Sequence, residues 1–512
     1  MTTFAFKFKS VGTTELAPLF MDFMAHHAHA QGLSYATTSE VFYLKAPLEQ
    51  AKSFATQLSL RLPLALSFNF LGVEVAQEPL EWHSQEVPCP PIDISQAKDF
   101  LDPTHKDFCA PKVHFFSLSY QNQALTTPTQ VQEAMQSAVQ TLQAGQNLVI
   151  KTSRGVVTLS PTPKKDASVL FMDLASVLSV TRLDHKSAQV LCAFEKPTIR
   201  ATLKEVFSQE FQRLEIDALL PYDLGLALLG HFLLEKDISY LFLTQSPESV
   251  PDFAYTPKAP STQAQTFSVA QNGLLLAHKR TRAKNTLDFI RQEAPKEPHL
   301  LIYLNFERPS CFWVYQEGYK QLLSVEQETH PQALLAQLQS NAKGRKLYAN
   351  YKQAFPDLCQ ALEQAPQTPP SQNLLDFLAG LAQVLGFSQT HNPHTIFELA
   401  TSFLRNKGPR VDFKLTKEPL SLNPTPTLRS AASYTLGGTD APTMCFGILD
   451  SLAEFLGNVI YDAHTKFSCD RVYLCGEVFL QKVFLDLCLQ YFPKECPPIF
   501  PTKAMDYQDV GA

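Results

Sequence analysis

The sequence predicts a multidomain protein of α/β and α+β class, and three observations carry that expectation. At 512 residues the chain is long enough for roughly three or four domains. Near the amino terminus, strand-like alternation and helix-like spacing succeed one another several times. Near the carboxy terminus a strand over 471–474 runs into Cys475-Gly476-Glu477 and then a helix over 478–492, the strand–glycine–helix turn common in α/β units.

Composition bounds the function. Hydrophobic residues make up 45% of the chain, enough for real cores, while charged residues make up only 18% and the net charge is −6. That balance lacks the basic footprint of a dedicated nucleic-acid binder, so no nucleic-acid partner is expected. Thirty-six prolines against nineteen glycines leave few positions for the positive-φ loops that cradle phosphates. The start MTTFAFKFKS lacks the apolar region of a secretory signal, and no run reaches the roughly 20 apolar residues of a membrane helix; a cytoplasmic protein without membrane insertion is expected. The ten cysteines form no C-x-x-C pair, which argues against a zinc ribbon or a thioredoxin motif. The four from Cys469 to Cys496 are irregularly spaced, so they too are expected to be small buried hydrophobes.

Each element follows from its local pattern. Phe4, Phe6 and Phe8 alternate as a half-buried strand, and Leu16, Phe20, Phe23 and His27 share one helical face. A second strand spans 34–45, a helix about 48–60, and Leu66, Phe68 and Phe70 alternate again. His26, His27 and His29 invite a metal reading, yet only His26 and His29 have ligand spacing and no carboxylate supports them. The plain expectation is His27 inward and the others solvated. A helix covers 131–144, with Val131, Ala134, Met135, Ala138 and Leu142 on one face; Gly145 stops it and a strand follows at 148–151. Residues 167–180 are largely apolar. The stretch 245–265, rich in Pro, Ser and Thr, reads as a long loop. Strands at 300–304 and 312–315 are expected to pair, and a helical stretch falls around 333–359. An amphipathic helix over 373–387 turns Leu374, Phe377, Leu378, Leu381 and Leu385 inward.

Several segments, in order, resemble the hydrogenase maturation carbamoyltransferase family HypF. They are Pro197 onward, Leu220-Pro221-Tyr222, Leu228-Leu229 and Leu243-Thr244-Gln245-Ser246. Asn272-Gly273-Leu274 through Arg280 follows, then Ser371-Gln372-Asn373-Leu374-Leu375-Asp376 with Leu385-Gly386, Phe397-Glu398-Leu399, and finally Leu474 through Lys482. No single segment is specific; their shared order over about 370 residues carries the resemblance. It implies an acylphosphatase-like ferredoxin-fold domain (1–85), a degenerate zinc-finger-like linker (86–122), a YrdC-like α/β domain (123–290) and a truncated TsaD-like, actin-like domain (297–512).

At most landmarks the family's chemical groups are absent. The acylphosphatase anion loop reads Val11-Gly12-Thr13-Thr14-Glu15-Leu16-Ala17-Pro18, with Ala17 at the arginine position and a carboxylate, Glu15, where an anion should bind; Thr37 occupies the asparagine position. Of the zinc module only Cys89 and Cys109 remain, with His105 and His114 as conceivable co-ligands. The family's glycine turn near the nucleotide becomes Lys151-Thr152-Ser153-Arg154-Gly155, and no basic phosphate-gripping run follows. Lys279 to Arg282 reads as a solvated turn. The histidine-rich metal motif of the actin-like domain is missing, and Glu477 replaces the second glycine of the final turn. Asp376 matches a family aspartate, although an exposed helix charge is the commoner reading for such a residue. Lys151, Arg154, Thr244 and Gly476 are the candidate nucleotide contacts; a solvated strand end for the basic pair and a strand-end hydroxyl for Thr244 are the ordinary alternatives. No catalytic or metal-binding residue is assigned. The family's cofactors, ATP and zinc, are disfavoured by these losses.

The resemblance is strongest to the HydE accessory proteins of nickel–iron hydrogenases, and so implies hydrogenase maturation proteins or hydrogenase subunits as partners. A catalytically silent scaffold is the expected role. Two alternatives remain: an active, diverged nucleotide-dependent carbamoyl- or acyl-transferase, and an RNA-related YrdC-like binding module, against which the acidic balance speaks.

Overall fold

The computed structural model describes residues 1–10, 16–62, 64–77, 81–83, 87, 116–164, 166–257, 266–270, 274–277, 297–365, 369–403, 407–417 and 420–500. The chain forms two compact units, Met1–Gln265 and Thr266–Ala512. The multidomain α/β expectation holds. Residues 11–15, Cys89, His105, Cys109, His114, Asn272-Gly273 and Lys279 to Arg282 lie outside the described residues.

The first unit opens with β1 (Thr2–Ser10), α1 (Leu16–Ala30), β2 (Ser34–Thr37), β3 (Val41–Ala46), α2 (Leu48–Arg61) and β4 (Phe68–Val75). These strands form an antiparallel sheet ordered β2-β3-β1-β4. The alternation of Phe4, Phe6 and Phe8 sends all three to one face, where they meet Phe20, Phe42 and Phe54 in a single core. Phe6 sits edge-on to Phe54, with ring centroids 5.8 Å apart, and Phe42 stacks on Phe54. The single strand expected over 34–45 is a hairpin instead. Thr38 breaks it, because its hydroxyl accepts the amides of Glu40 and Val41 and folds the chain back. Leu66 precedes β4, and Phe70 is exposed although Phe68 is buried, since β4 lies at the sheet edge.

His27 is half-buried against Phe23, as its helical spacing predicts, with ring centroids 4.4 Å apart. Burial first, then the positive charges of Arg61 and His26, lower its pKa to about 4. A histidine that resists protonation more in the folded than in the unfolded chain stabilises the fold fully above its free pKa near 6.5. That contribution is lost as pH falls toward 4. A His27→Leu variant is therefore expected to lose less thermal stability than the native chain between pH 6.5 and 4, measured by circular dichroism melts. An equal loss in both would refute this assignment.

The remainder of the first unit is a mixed sheet. Its strands are β5 (Phe116–Tyr120), β6 (Gln123–Ala124), β7 (Leu148–Thr152), β8 (Gly155–Ser160), β9 (Ser168–Phe171), β10 (Thr198–Thr202), β11 (Glu215–Leu219), β12 (Tyr240–Gln245) and β13 (Phe253–Pro257). They run in the order β10-β11-β9-β12-β8-β7-β13-β5-β6. Helix α3 (Pro128–Gln143) starts on a capping box of Thr127 and Gln130 with Pro128 in the first turn, and Gly145 follows it at φ +76°. With the apolar helix Leu224–Leu234, α3 covers one face of the sheet over Leu148, Ile150, Leu159 and Leu241. The stretch expected as an unbroken loop over 245–265 contains β13. That strand pairs with β5 and β7, and Phe253 is buried in the core. Its stabilising partners are all distant in sequence, so local composition did not reveal it.

The second unit has a five-stranded sheet made of His299–Tyr303, Cys311–Tyr315, Tyr319–Gln321, Val472–Cys475 and Pro498–Ile499. The first two pair antiparallel, as expected, and His299–Tyr303 runs parallel to Val472–Cys475. The face bearing Leu300, Ile302, Phe312 and Leu474 packs onto a helical layer. Within that layer all the predicted inward residues of the helix Leu374–Val384 and of Leu385 after it are buried, as are its other residues except the half-buried Asp376. Each such leucine contributes about 1.5–3 kcal/mol by leaving water. The stretch 333–359 resolves into three helices, Pro331–Leu338, Ala342–Ala354 and Pro356–Glu363. The predicted helix over 478–492 is a 3-10 turn, Glu477–Leu480, followed by Lys482–Tyr491. One helix, Ala441–Phe467, is by length and composition apolar enough to cross a membrane, contrary to the expectation of no such run; 78% of its most apolar stretch is buried.

Candidate functional site

The polar groups nearest the expected nucleotide turn sit where β7 turns into β8. Asp223 precedes the apolar helix Leu224–Leu234 and caps it, its carboxylate accepting the Leu226 amide at 2.9 Å. The other carboxylate oxygen accepts the Ser153 amide at 2.8 Å, which fixes the turn. Asp223 is 3% exposed, and burial raises its pKa against the opposing effect of these bonds and of Arg154. Thr152 donates to the Gly155 carbonyl and accepts from Tyr222 at 3.0 Å. Burial is the main cause that pushes the Tyr222 hydroxyl up to about 12, so this phenol is a neutral donor at physiological pH.

Arg154 is not a solvated strand end. Its guanidinium lies 4.1 Å from the centre of the Tyr222 ring and donates to the Glu195 and Lys196 carbonyls at 2.7 and 2.9 Å. Lys196 adopts φ +45°, a conformation rare for a lysine. Burial lowers the Arg154 pKa, and the nearby Tyr222 and Asp223 offset part of that. The Glu195 carboxylate in turn accepts the Leu66 amide, the Ser67 amide and the Ser67 hydroxyl. Beside it Phe194 packs edge-on to Phe20 of the opening α/β lobe. Arg154 is thus a joint between the sheet and that lobe.

Lys151 and Thr244 lie elsewhere. Lys151 pairs in register with Val156 and Thr244 with Thr158, so two-residue steps keep Lys151, Val156, Thr158 and Thr244 on the sheet face opposite the buried Ile150, Val157 and Leu159. Lys151 is exposed there and Thr244 half-buried. Thr158 and Ser246 share a hydrogen bond of 2.7 Å. An ammonium and several hydroxyls on one face can bind an anion or a polyol, but the nearest guanidinium in the turn is already engaged. Sequence reasoning missed Asp223, Glu195, Thr158 and Ser246. An aspartate directly before an apolar helical run is a capping signal that could have identified Asp223.

In the second unit Gly476 has φ +100°, and a Cβ there would lie 2.0 Å from the Leu304 carbonyl oxygen. Its glycine identity is accounted for by strand packing. The neighbouring Glu477 carboxylate accepts the Phe306 amide at 3.3 Å. Asp376 is half-buried and partnered, contrary to the exposed-charge reading: Ser371 donates to it at 2.6 Å and His391 lies 3.5 Å away. Burial would raise its pKa, but the hydrogen bonds from His391 and Ser371 outweigh this and hold it below the usual carboxylate range.

His26 Nδ1 lies 2.8 Å from the Val87 carbonyl. Ala17 is buried in α1 and Thr37 is exposed at the end of β2. Among the described residues no group of three or more His, Cys, Asp or Glu side chains is arranged to hold a metal ion. The four cysteines from 469 to 496 are buried, as expected, whereas Cys192 is exposed.

No protein-family profile matches the chain. Over 90% of its length it is 28% identical to protein HydE of Wolinella succinogenes, covering 91% of that protein. Its fold matches T. kodakarensis HypF with a TM-score of 0.66 at 11% identity, covering 99% of this chain and 96% of that one. A full-length HypF structure in a phosphate- and nucleotide-bound form matches with a TM-score of 0.60 at 10% identity, over 98% and 96% of the two chains.

Proposed function

We propose, from a chain that is HypF-like over nearly its whole length and similar to protein HydE, that it is an accessory protein of nickel–iron hydrogenase maturation and acts as a scaffold without carbamoyl transfer. The observation that carries the scaffold reading is Arg154. Its guanidinium is spent on two main-chain carbonyls and the Tyr222 ring, so it stabilises the architecture at the place where charge for a nucleotide would be needed. In this reading residues 1–85 are acylphosphatase-like, 86–122 a zinc-finger remnant, 123–290 YrdC-like and 297–512 a truncated TsaD-like domain. The partners are maturation proteins or hydrogenase subunits, and the site of action is the cytoplasm.

The test pairs two measurements. Thermal unfolding with ATP, magnesium and carbamoyl phosphate is expected to show no rise in midpoint. A native-state ligand at a hundred times its Kd would add about 2.7 kcal/mol, a shift that is easily seen. Deletion of the chain from a hydrogenase-producing cell is expected to lower nickel–iron hydrogenase activity, while a Lys151→Ala, Thr244→Val double variant restores it fully. The open sheet face bearing Lys151 and Thr244 favours a second reading, an active diverged transferase. A ligand-induced stabilisation that the double variant abolishes would establish that reading instead.

A further inference from the structure

We propose that β4 is a self-association edge, which pairs antiparallel with β4 of a second copy of this chain across a twofold axis. In the order β2-β3-β1-β4 this strand is terminal, so among the described residues no strand lies beyond its outer row of amides and carbonyls in its own sheet. Its side chains are unusually apolar for such a position: Phe70 is 58% exposed, Leu71 63%, Val73 46% and Val75 71%. Phe70, Val73 and Val75 pair in register with Phe8, Phe6 and Phe4, so they share the face that those buried phenylalanines give to the core, yet they are uncovered. Leu71 is the extra residue at the register shift between Lys7 and Phe8.

The charge pattern selects a second copy over a charged partner strand. The eight residues FNFLGVEV contain one ionisable group, Glu74, and the Lys7 ammonium of the same copy already lies 2.5 Å from it. The edge also lacks the lysine or proline that commonly guards such a strand. Read against itself in the antiparallel sense, with Val73 opposite Val73 of the other copy on the axis, the strand sets Gly72 opposite Glu74 and, with Leu71 again the extra residue, Phe70 opposite Val75. Apolar residues then meet across the axis and no like charges face each other. An isologous contact of this kind closes after two copies.

Sedimentation velocity of the full chain from the micromolar range upward is expected to show a monomer–dimer equilibrium, with β4 amides gaining hydrogen-exchange protection as dimer forms. Phe70→Lys and Val75→Lys, made separately at exposed positions so that one folded variant suffices, are each expected to weaken dimerisation about tenfold or more with unchanged circular dichroism. A chain that stays monomeric, a dimer indifferent to both substitutions, or β4 amides protected at every concentration would each overturn the proposal. The last result would mean that the chain's own residues, or a different bound partner, cover the edge.

Discussion

Gly476→Ala is expected to destabilise the second unit by about 3–5 kcal/mol, because two independent costs coincide there. Its backbone at φ +100° and ψ 155° belongs to a region essentially reserved for glycine, and the added methyl would meet the Leu304 carbonyl at 2.0 Å. That carbonyl cannot yield easily, since Leu304 donates its amide to the Cys475 carbonyl at 2.9 Å and so belongs to the same parallel strand pair. Gly438 makes the control. Its φ of +83° is similarly unfavourable, but no atom lies within 4 Å of the position of an added Cβ. Gly438→Ala should therefore cost only the conformational part, about 1–2 kcal/mol. Urea unfolding of both variants measures the difference, and equal midpoints would show that close packing at Gly476 is not what matters.

Asp223→Ala is expected to cost about 2–4 kcal/mol in the first unit. One carboxylate holds the start of the helix Leu224–Leu234 and the β7–β8 turn together, so its loss strands the buried Leu226 amide and the half-buried Ser153 amide at once. Losing the cap bond to Leu226 costs about 1 kcal/mol, and the stranded Ser153 donor adds about 1–3. Asp223→Asn keeps one carbonyl acceptor and should fall between the two. If the asparagine variant is as unstable as the alanine one, the two bonds do not act separately.

Local pattern made part of this structure readable and left part hidden. The helix over 131–144 was legible because apolar spacing and Gly145 lie within one short window. The pairing of the strands near 300 and 312 was legible for the same reason. By contrast, Arg154 reads as a solvated strand end because its acceptors are the carbonyls of residues 195 and 196. Main-chain carbonyls carry no residue signature, and these lie about forty positions away. Asp376 was misread in a related way: Ser371 and His391 flank it from outside its own helix. The hairpin at Thr38 depended on a hydroxyl choosing main-chain amides over solvent, and periodicity does not report that choice.

The chain of bonds from Arg154 through the 195–196 carbonyls, and from the Glu195 carboxylate to Leu66 and Ser67, bears on how the first unit opens. Local unfolding usually proceeds in cooperative segments, and a peripheral lobe often opens well below the free energy of the whole. Here the lobe cannot swing free without also releasing the turn that Asp223 anchors, because the same short loop is gripped from both sides. Amides of the opening α/β lobe and of β7 should therefore exchange with a common free energy and a common denaturant dependence. The lobe and the sheet would then form one unfolding unit, and a fragment cut between them would leave each half with an unfilled grip.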